Sequence, residues 1–215
     1  MNSKCSICSL HGCSKESALH LPDFCPMPTH EGLYEEALAL INSETYSTFY
    51  TASSVIEKEG YGLWPRVKET MALMVKMGYK KVGLAHCLGF KKEAKILTEI
   101  LEDHGLTVIS ALCKTGGMDK TQAQLKEEEK IREGSFEAMC NPVAQAMLLN
   151  EQGTEFNIVL GLCVGHDSLF YKFSDALCTT LVVKDRVTGH NPVAALYGAD
   201  GYFKNKLHYD EKKSL

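Results

Sequence analysis

From Lys80 onward, short apolar runs alternate with amphipathic stretches, the arrangement that predicts a parallel sheet covered by helices. VGLAHC (82–87), LTVISALC (106–113), FNIVLGLC (156–163) and CTTLVVKD (178–185) read as strands. Between the first two, FKKEAKILTEILEDHG carries Phe90, Ala94, Leu97 and Leu101 on one helical face, and Gly105 closes it. Upstream, residues 33–78 have a helical period. In Trp64–Met77 the residues Val67, Met71, Met74 and Val75 recur on one face, Pro65 suits the first turn and Gly78 the end. The charged run QLKEEEKIREG (124–134) is expected to be a solvated helix or loop face.

Residues 1–32 show neither period, so something other than a core must order them. Three parts result: a cysteine-rich metal-binding module (1–32), a helical segment packing on the core (33–79) and an α/β domain (80–215). The expected fold is α/β, a Rossmann-like or flavodoxin-like open parallel sheet of about four to five strands with flanking helices, the small module preceding it.

The length of 215 residues and 45% hydrophobic content suit a globular chain with a sizeable core. A formal charge of −4 with dispersed charges offers no basic stripe for a phosphate backbone, which argues against nucleic acid. No run approaches the ~20 apolar residues of a membrane span, and the first residues lack the apolar stretch of a secretory signal. A cytoplasmic location is expected, where thiols stay reduced. There, nine cysteines point to metal or thiol chemistry more than to a disulfide framework.

Four of those cysteines, Cys5, Cys8, Cys13 and Cys25, form C-x2-C-x4-C-x11-C, closing on Cys25-Pro26. Free cysteine is often a small buried hydrophobe. Four within 21 residues among Ser, Lys, His and Gly fit metal ligation better. Soft thiolates suit an iron-sulfur cluster or zinc. The closing Cys-Pro is shared with bacterial ferredoxins while the other spacings differ, and only the first pair fits a structural zinc site. His11, His20 or His30 could replace one thiol, which would favour zinc.

A second set follows from the strands. Cys87, Cys113 and Cys163 end three of them, and the carboxyl ends of strands in an open α/β sheet line the ligand crevice. Cys140 precedes Asn141-Pro142, a good cap and first position for a helix, whose amino terminus favours a thiolate or an anionic cluster. HNPVAALYG repeats that start, with His190 where Cys140 stood. Cys178, at the start of a strand, is explained by packing. The three-glycine dinucleotide fingerprint is absent, so no nucleotide cofactor is expected. Polar groups crowd the same ends: His166, Asp167, Lys184, Arg186 and His190 could bind an anion, transfer protons or orient a ligand. The bland reading of these five is structural, as satisfied histidines and ion pairs.

The C-x2-C-x4-C opening with its later Cys-Pro, then GLAHCLGF, SALCK, CNPVAQAMLLN, GLCVGHDSLF and VVKDRVTGHNP, resembles the cysteine-rich bacterial and archaeal proteins grouped as domain of unknown function 1847. The resemblance covers nearly the whole chain. It implies a metal-binding role, and the family's frequent occurrence in anaerobes implies oxygen-sensitive clusters.

The leading expectation is a metalloprotein with one or two 4Fe-4S clusters, held by Cys5, Cys8, Cys13 and Cys25 and by Cys87, Cys113, Cys140 and Cys163. It would act in redox or sulfur chemistry on a small, anionic molecule, with an electron-transfer protein as a partner. Zinc is the alternative at the amino-terminal site. The rivals are a zinc-binding structural, sensor or metal-carrier protein without catalysis, and a metal-free thiol or persulfide enzyme using Cys140 or Cys163. A homodimer is expected only from how common two-fold oligomers are.

Overall fold

The computed structural model describes residues 2–16 and 20–208. The chain divides into two compact units, Met1–Lys58 and Glu59–Leu215. In the first, three single 3-10 turns, Cys5–Ile7, Gly12–Ser14 and Met27–Thr29, precede helices α1 (Glu31–Ile41) and α2 (Ser47–Gly60). No residue of α1 is buried, although Leu33, Leu38 and Leu40 are apolar.

The second unit runs α3 (Arg66–Lys76), β1 (Lys81–His86), α4 (Lys91–Glu102), β2 (Thr107–Leu112), α5 (Pro142–Glu151), β3 (Phe156–Leu160), α6 (His166–Phe173), β4 (Cys178–Val182) and α7 (Val193–Tyr197). The four strands form one all-parallel sheet in the order β2-β1-β3-β4, the doubly wound α/β architecture. All five residues of β3 are buried, as are five of the six in β1, and both strands read as near-continuous apolar runs. The edge strands β2 and β4 are partly exposed.

The amphipathic face expected around Phe90 is real: Ala94, Leu97 and Leu101 of α4 are buried. Helix α5 lies close over β1 because Gly83 has no side chain; a Cβ there would stand 1.9 Å from Asn157 Oδ1 and 2.7 Å from Leu149 Cδ1. Buried Gln145 of α5 donates from Nε2 to the carbonyls of Ala111 (2.7 Å) and His86 (3.3 Å), tying the ends of β2 and β1 together. A buried amide in that place is satisfied on one side only, since Gln145 Oε1 has no hydrogen-bond partner among the described residues.

Two local expectations change. The charged run 124–134 is a loop with one 3-10 turn, Glu127–Glu129, and it is not wholly solvated. The Lys130 side chain is 3% exposed and lies 2.8 Å from both Asp119 and Glu127. The helix start at Asn191 does not repeat that at Asn141. Asn141 Oδ1 accepts the Ala144 N–H at 3.0 Å, whereas the later helix begins at Val193, has Pro192 as its cap residue and spans five residues.

Candidate metal and thiol sites

Strand pairing runs one residue past the named ends, and this places the crevice thiols. The Cys87 N–H donates to Leu160 O (3.1 Å) and the Cys113 N–H to His86 O (2.9 Å). Cys87 and Cys113 therefore occupy neighbouring final rungs of adjacent parallel strands, with side chains on the same face. Cys140 arrives by a long excursion whose return is fixed by the Asn141 N–H donating to Cys113 O at 2.8 Å. Cys163 lies three residues beyond β3 and opens α6, its carbonyl accepting from the His166 and Asp167 N–H groups. The order of the strands reverses between β1 and β3, the switch point at which open α/β sheets bind ligands.

Cys113 is the hub. Its buried thiol, with a single S–H to give, sits beside both Cys87 and Cys140 and accepts the Leu88 N–H at 3.3 Å. The Cys140 and Cys87 sulfurs, with burial, push its pKa up. The outer two move the other way. Cys87 is lowered by its bond with Cys113 and by the Lys184 ammonium, 3.0 Å from its sulfur, against burial. Cys140 is lowered by its bond with Cys113 and by Lys114, whose Nζ lies 3.3 Å away. Arg186 Nη2 stands 3.4 Å from Cys163 Sγ, and that sulfur raises the guanidinium pKa. Three of the four cysteines thus have a cation of their own.

The last strand's loop is held against this cluster by Phe90. Gly161 has φ +68°, and a Cβ there would lie 2.1 Å from the Phe90 ring, so only glycine lets the ring sit where it does. Lys184 Nζ lies 4.7 Å from the centroid of the same ring, and the His190 ring 4.6 Å from it. His190 Nδ1 accepts the Asp185 N–H at 3.0 Å, so in the neutral ring the proton is on Nε2.

Of the five polar residues expected at the crevice, Lys184 and Arg186 contact cysteine sulfurs directly. His190 stands behind Lys184 on Phe90. The charge of His166 helps to lower Cys140, and its Nδ1 is buried without a partner among the described residues. Asp167 accepts from the Ser168 N–H at 2.8 Å, a local bond. Sequence reasoning missed Lys114. Its position directly after a strand-end cysteine was the available signal, but its contact with Cys140 depends on the excursion 114–140 folding back. Cys178 donates to Ser174 Oγ and Ala176 O at the opposite end of the sheet, away from the crevice.

In the first unit, Cys5, Cys8, Cys13 and Cys25 line one small, partly open cavity of about 70 Å³, and His11 lines it as well. His30 is turned into local bonds with Thr29 Oγ1 and Pro26 O, and His20 does not line the cavity. Among the described residues, no group of three or more His, Cys, Asp or Glu is disposed to hold a metal ion. The donor set, four soft thiols round one small space, nonetheless suits a thiolate-bound centre, and the space exceeds the ~10–15 Å³ that admits one water. Among the same residues, no helix is long and apolar enough to cross a membrane.

The chain is 47% identical over 155 residues to a protein of Methanocaldococcus jannaschii described as uncharacterized, covering 72% of this chain and 77% of the relative. No solved structure matches it. The family described as Protein of unknown function (DUF1847) matches residues 25–181, a span holding Cys25 and all four crevice cysteines but neither Cys5, Cys8, Cys13 nor the Lys184–His190 loop. The chain belongs to that family.

Proposed function

We propose that the chain binds two thiolate-held metal centres, both iron-sulfur clusters, and that the one in the crevice serves redox or sulfur chemistry on a small anionic molecule. The observation that carries this reading is the crevice itself: Cys87, Cys113 and Cys140, from three separate chain segments, meet at the switch point, and Arg186, which bonds to Cys163, also feels Cys87 and Cys140. Four thiolates round a cluster leave net negative charge, which Lys114, Lys184 and Arg186 offset. The Leu88 N–H and these cations donate to sulfur, and hydrogen bonds to cluster sulfurs set reduction potential. A bound cluster would supply one-electron transfer or, with one iron left without a protein ligand, a Lewis-acidic binding position. Around it Arg186, which is exposed, meets an incoming anion, while His190 presents Nε2–H from behind Lys184. His166, half-buried beside Cys140, is placed to hold or accept a proton.

For the amino-terminal cavity, its size is the support: about 70 Å³ accommodates a polyatomic group, where a single tetrahedral ion would need less. The test is anaerobic purification with iron, zinc and acid-labile sulfide measured per chain. About eight iron and eight sulfide are expected for two four-iron clusters. One zinc without sulfide overturns the cluster reading.

A second reading rests on the lowered Cys87 and Cys140 thiols: a metal-free thiol or persulfide enzyme, in which the ammonium groups of Lys184 and Lys114 hold thiolates ready to attack. Alkylation by a limiting reagent that concentrates at one crevice cysteine in the protein as purified, with no metal present, would select it.

A further inference from the structure

Alternation along β1 puts His86 and Cys87 on opposite faces of the sheet, so the residue before the crevice cysteine belongs to a different surface. On that face α4 packs against β1 and β2 and leaves a groove of about 530 Å³, within the usual range of small-molecule sites. His86 lines it and is only 8% exposed. Its Nδ1 lies 3.3 Å from the Cys87 carbonyl, which can only accept, so Nδ1 carries a proton. Its Nε2 has no hydrogen-bond partner among the described residues, so a ring that is nine-tenths buried keeps one nitrogen free to accept a bond from whatever occupies the groove.

The other lining groups narrow the ligand. Leu88, Ala94 and Leu112 give the groove an apolar body. Lys91 and Lys95, one turn apart on α4, stand at the end near His86 and form the basic end. Lys95 is an exposed side chain that reaches Glu99, also on the groove, at 3.7 Å, and Lys91 has no ion-pair partner among the described residues. Glu102, at the far end, disfavours a second negative charge there. We propose that this groove is a second small-molecule site, for an apolar monocarboxylate whose carboxylate meets Lys91 and Lys95 and whose hydrogen-bond donor meets His86 Nε2. It adjoins the crevice through the backbone of His86 and Leu88, and it does not rest on any metal being bound.

The experiment uses full-length isotope-labelled protein titrated with three probes of one skeleton: para-hydroxyphenylacetate, phenylacetate and the amine tyramine. The expected result is saturable shifts of the His86 ring and Lys91 signals with the hydroxy acid, weaker binding of phenylacetate, and none of tyramine. The exposed double variant Lys91→Glu/Lys95→Glu should weaken the hydroxy acid by about tenfold or more while leaving the fold intact. Equal binding of tyramine, an unmoved His86 signal at saturating acid, or unchanged affinity in the double variant would each overturn the proposal.

Discussion

The two cysteine sets solve one problem in opposite ways. In the first unit, four cysteines fall within 21 residues, on single 3-10 turns with almost no buried side chains, and no cation contacts their sulfurs among the described residues. In the second, the cysteines span positions 87 to 163 and are carried by a buried parallel sheet that brings a Lys or Arg to three of them. A site built from nearby residues depends on its ligand for order. A site built on a core is organised before any ligand arrives, because the sheet has already met the entropic cost of fixing it.

The largest expected effect follows from that contrast. On our reading, stripping metal with a chelator removes hydrogen-exchange protection across residues 5–25 while amides of β1 and β3 keep theirs. Loss in both regions, or in neither, would break the comparison.

The next is Gly161→Ala. With φ +68° and the Phe90 ring 2.1 Å from the new Cβ, denaturant unfolding should show a loss of about 3 kcal/mol. Only the transition of the second unit should move.

A smaller change is expected from Lys184→Met in metal-free protein. The bond with Cys113 and the Lys184 ammonium hold Cys87 below the ordinary thiol range. Removing the ammonium should raise its pKa and slow alkylation of Cys87 near pH 6 by about tenfold, while Cys163, whose cation is Arg186, serves as the internal control. Peptide mapping by mass spectrometry reads both. Equal slowing at the two sites would show that the cations act as a common field.

The smallest concerns the excursion that delivers Cys140. Asp119 is held below the usual carboxylate range, chiefly by Lys130. A carboxylate with a depressed folded pKa contributes stability that is present above its unfolded value of about 3.9 and is lost as pH falls through the folded value. The difference in melting temperature between the native chain and Asp119→Asn should therefore be full at pH 6 and shrink below about pH 4. A difference that grows on acidification would contradict the assignment.

Much of the second unit was legible. β1 and β3 read as apolar runs because both their faces are covered, and the helix from Lys91 to Glu102 announced itself by period. Cys87 and Cys113 could be placed together because parallel strands deliver their ends to one side, whereas Cys163, expected to end a strand, lies three residues beyond β3. Lys114 and Phe90 were not legible as site residues. One needs a 25-residue excursion to fold back, held by Lys130 and its carboxylates, and the other needs the bare backbone at Gly161. The buried Lys130 was equally hidden, since a run of charges in sequence looks solvated whatever it later encloses.

By itself the sequence determined the periodicities, hence the strands, the main helices and the parallel sheet, because burial of apolar side chains follows local pattern. It also determined that the first four cysteines lie near one another, because short chain segments leave them nowhere else to go. Only the tertiary structure decided which cation meets which sulfur, that Cys113 is the hub between Cys87 and Cys140, and that His86 faces away from the crevice. Those contacts span 23 to 97 positions, and no local preference encodes them.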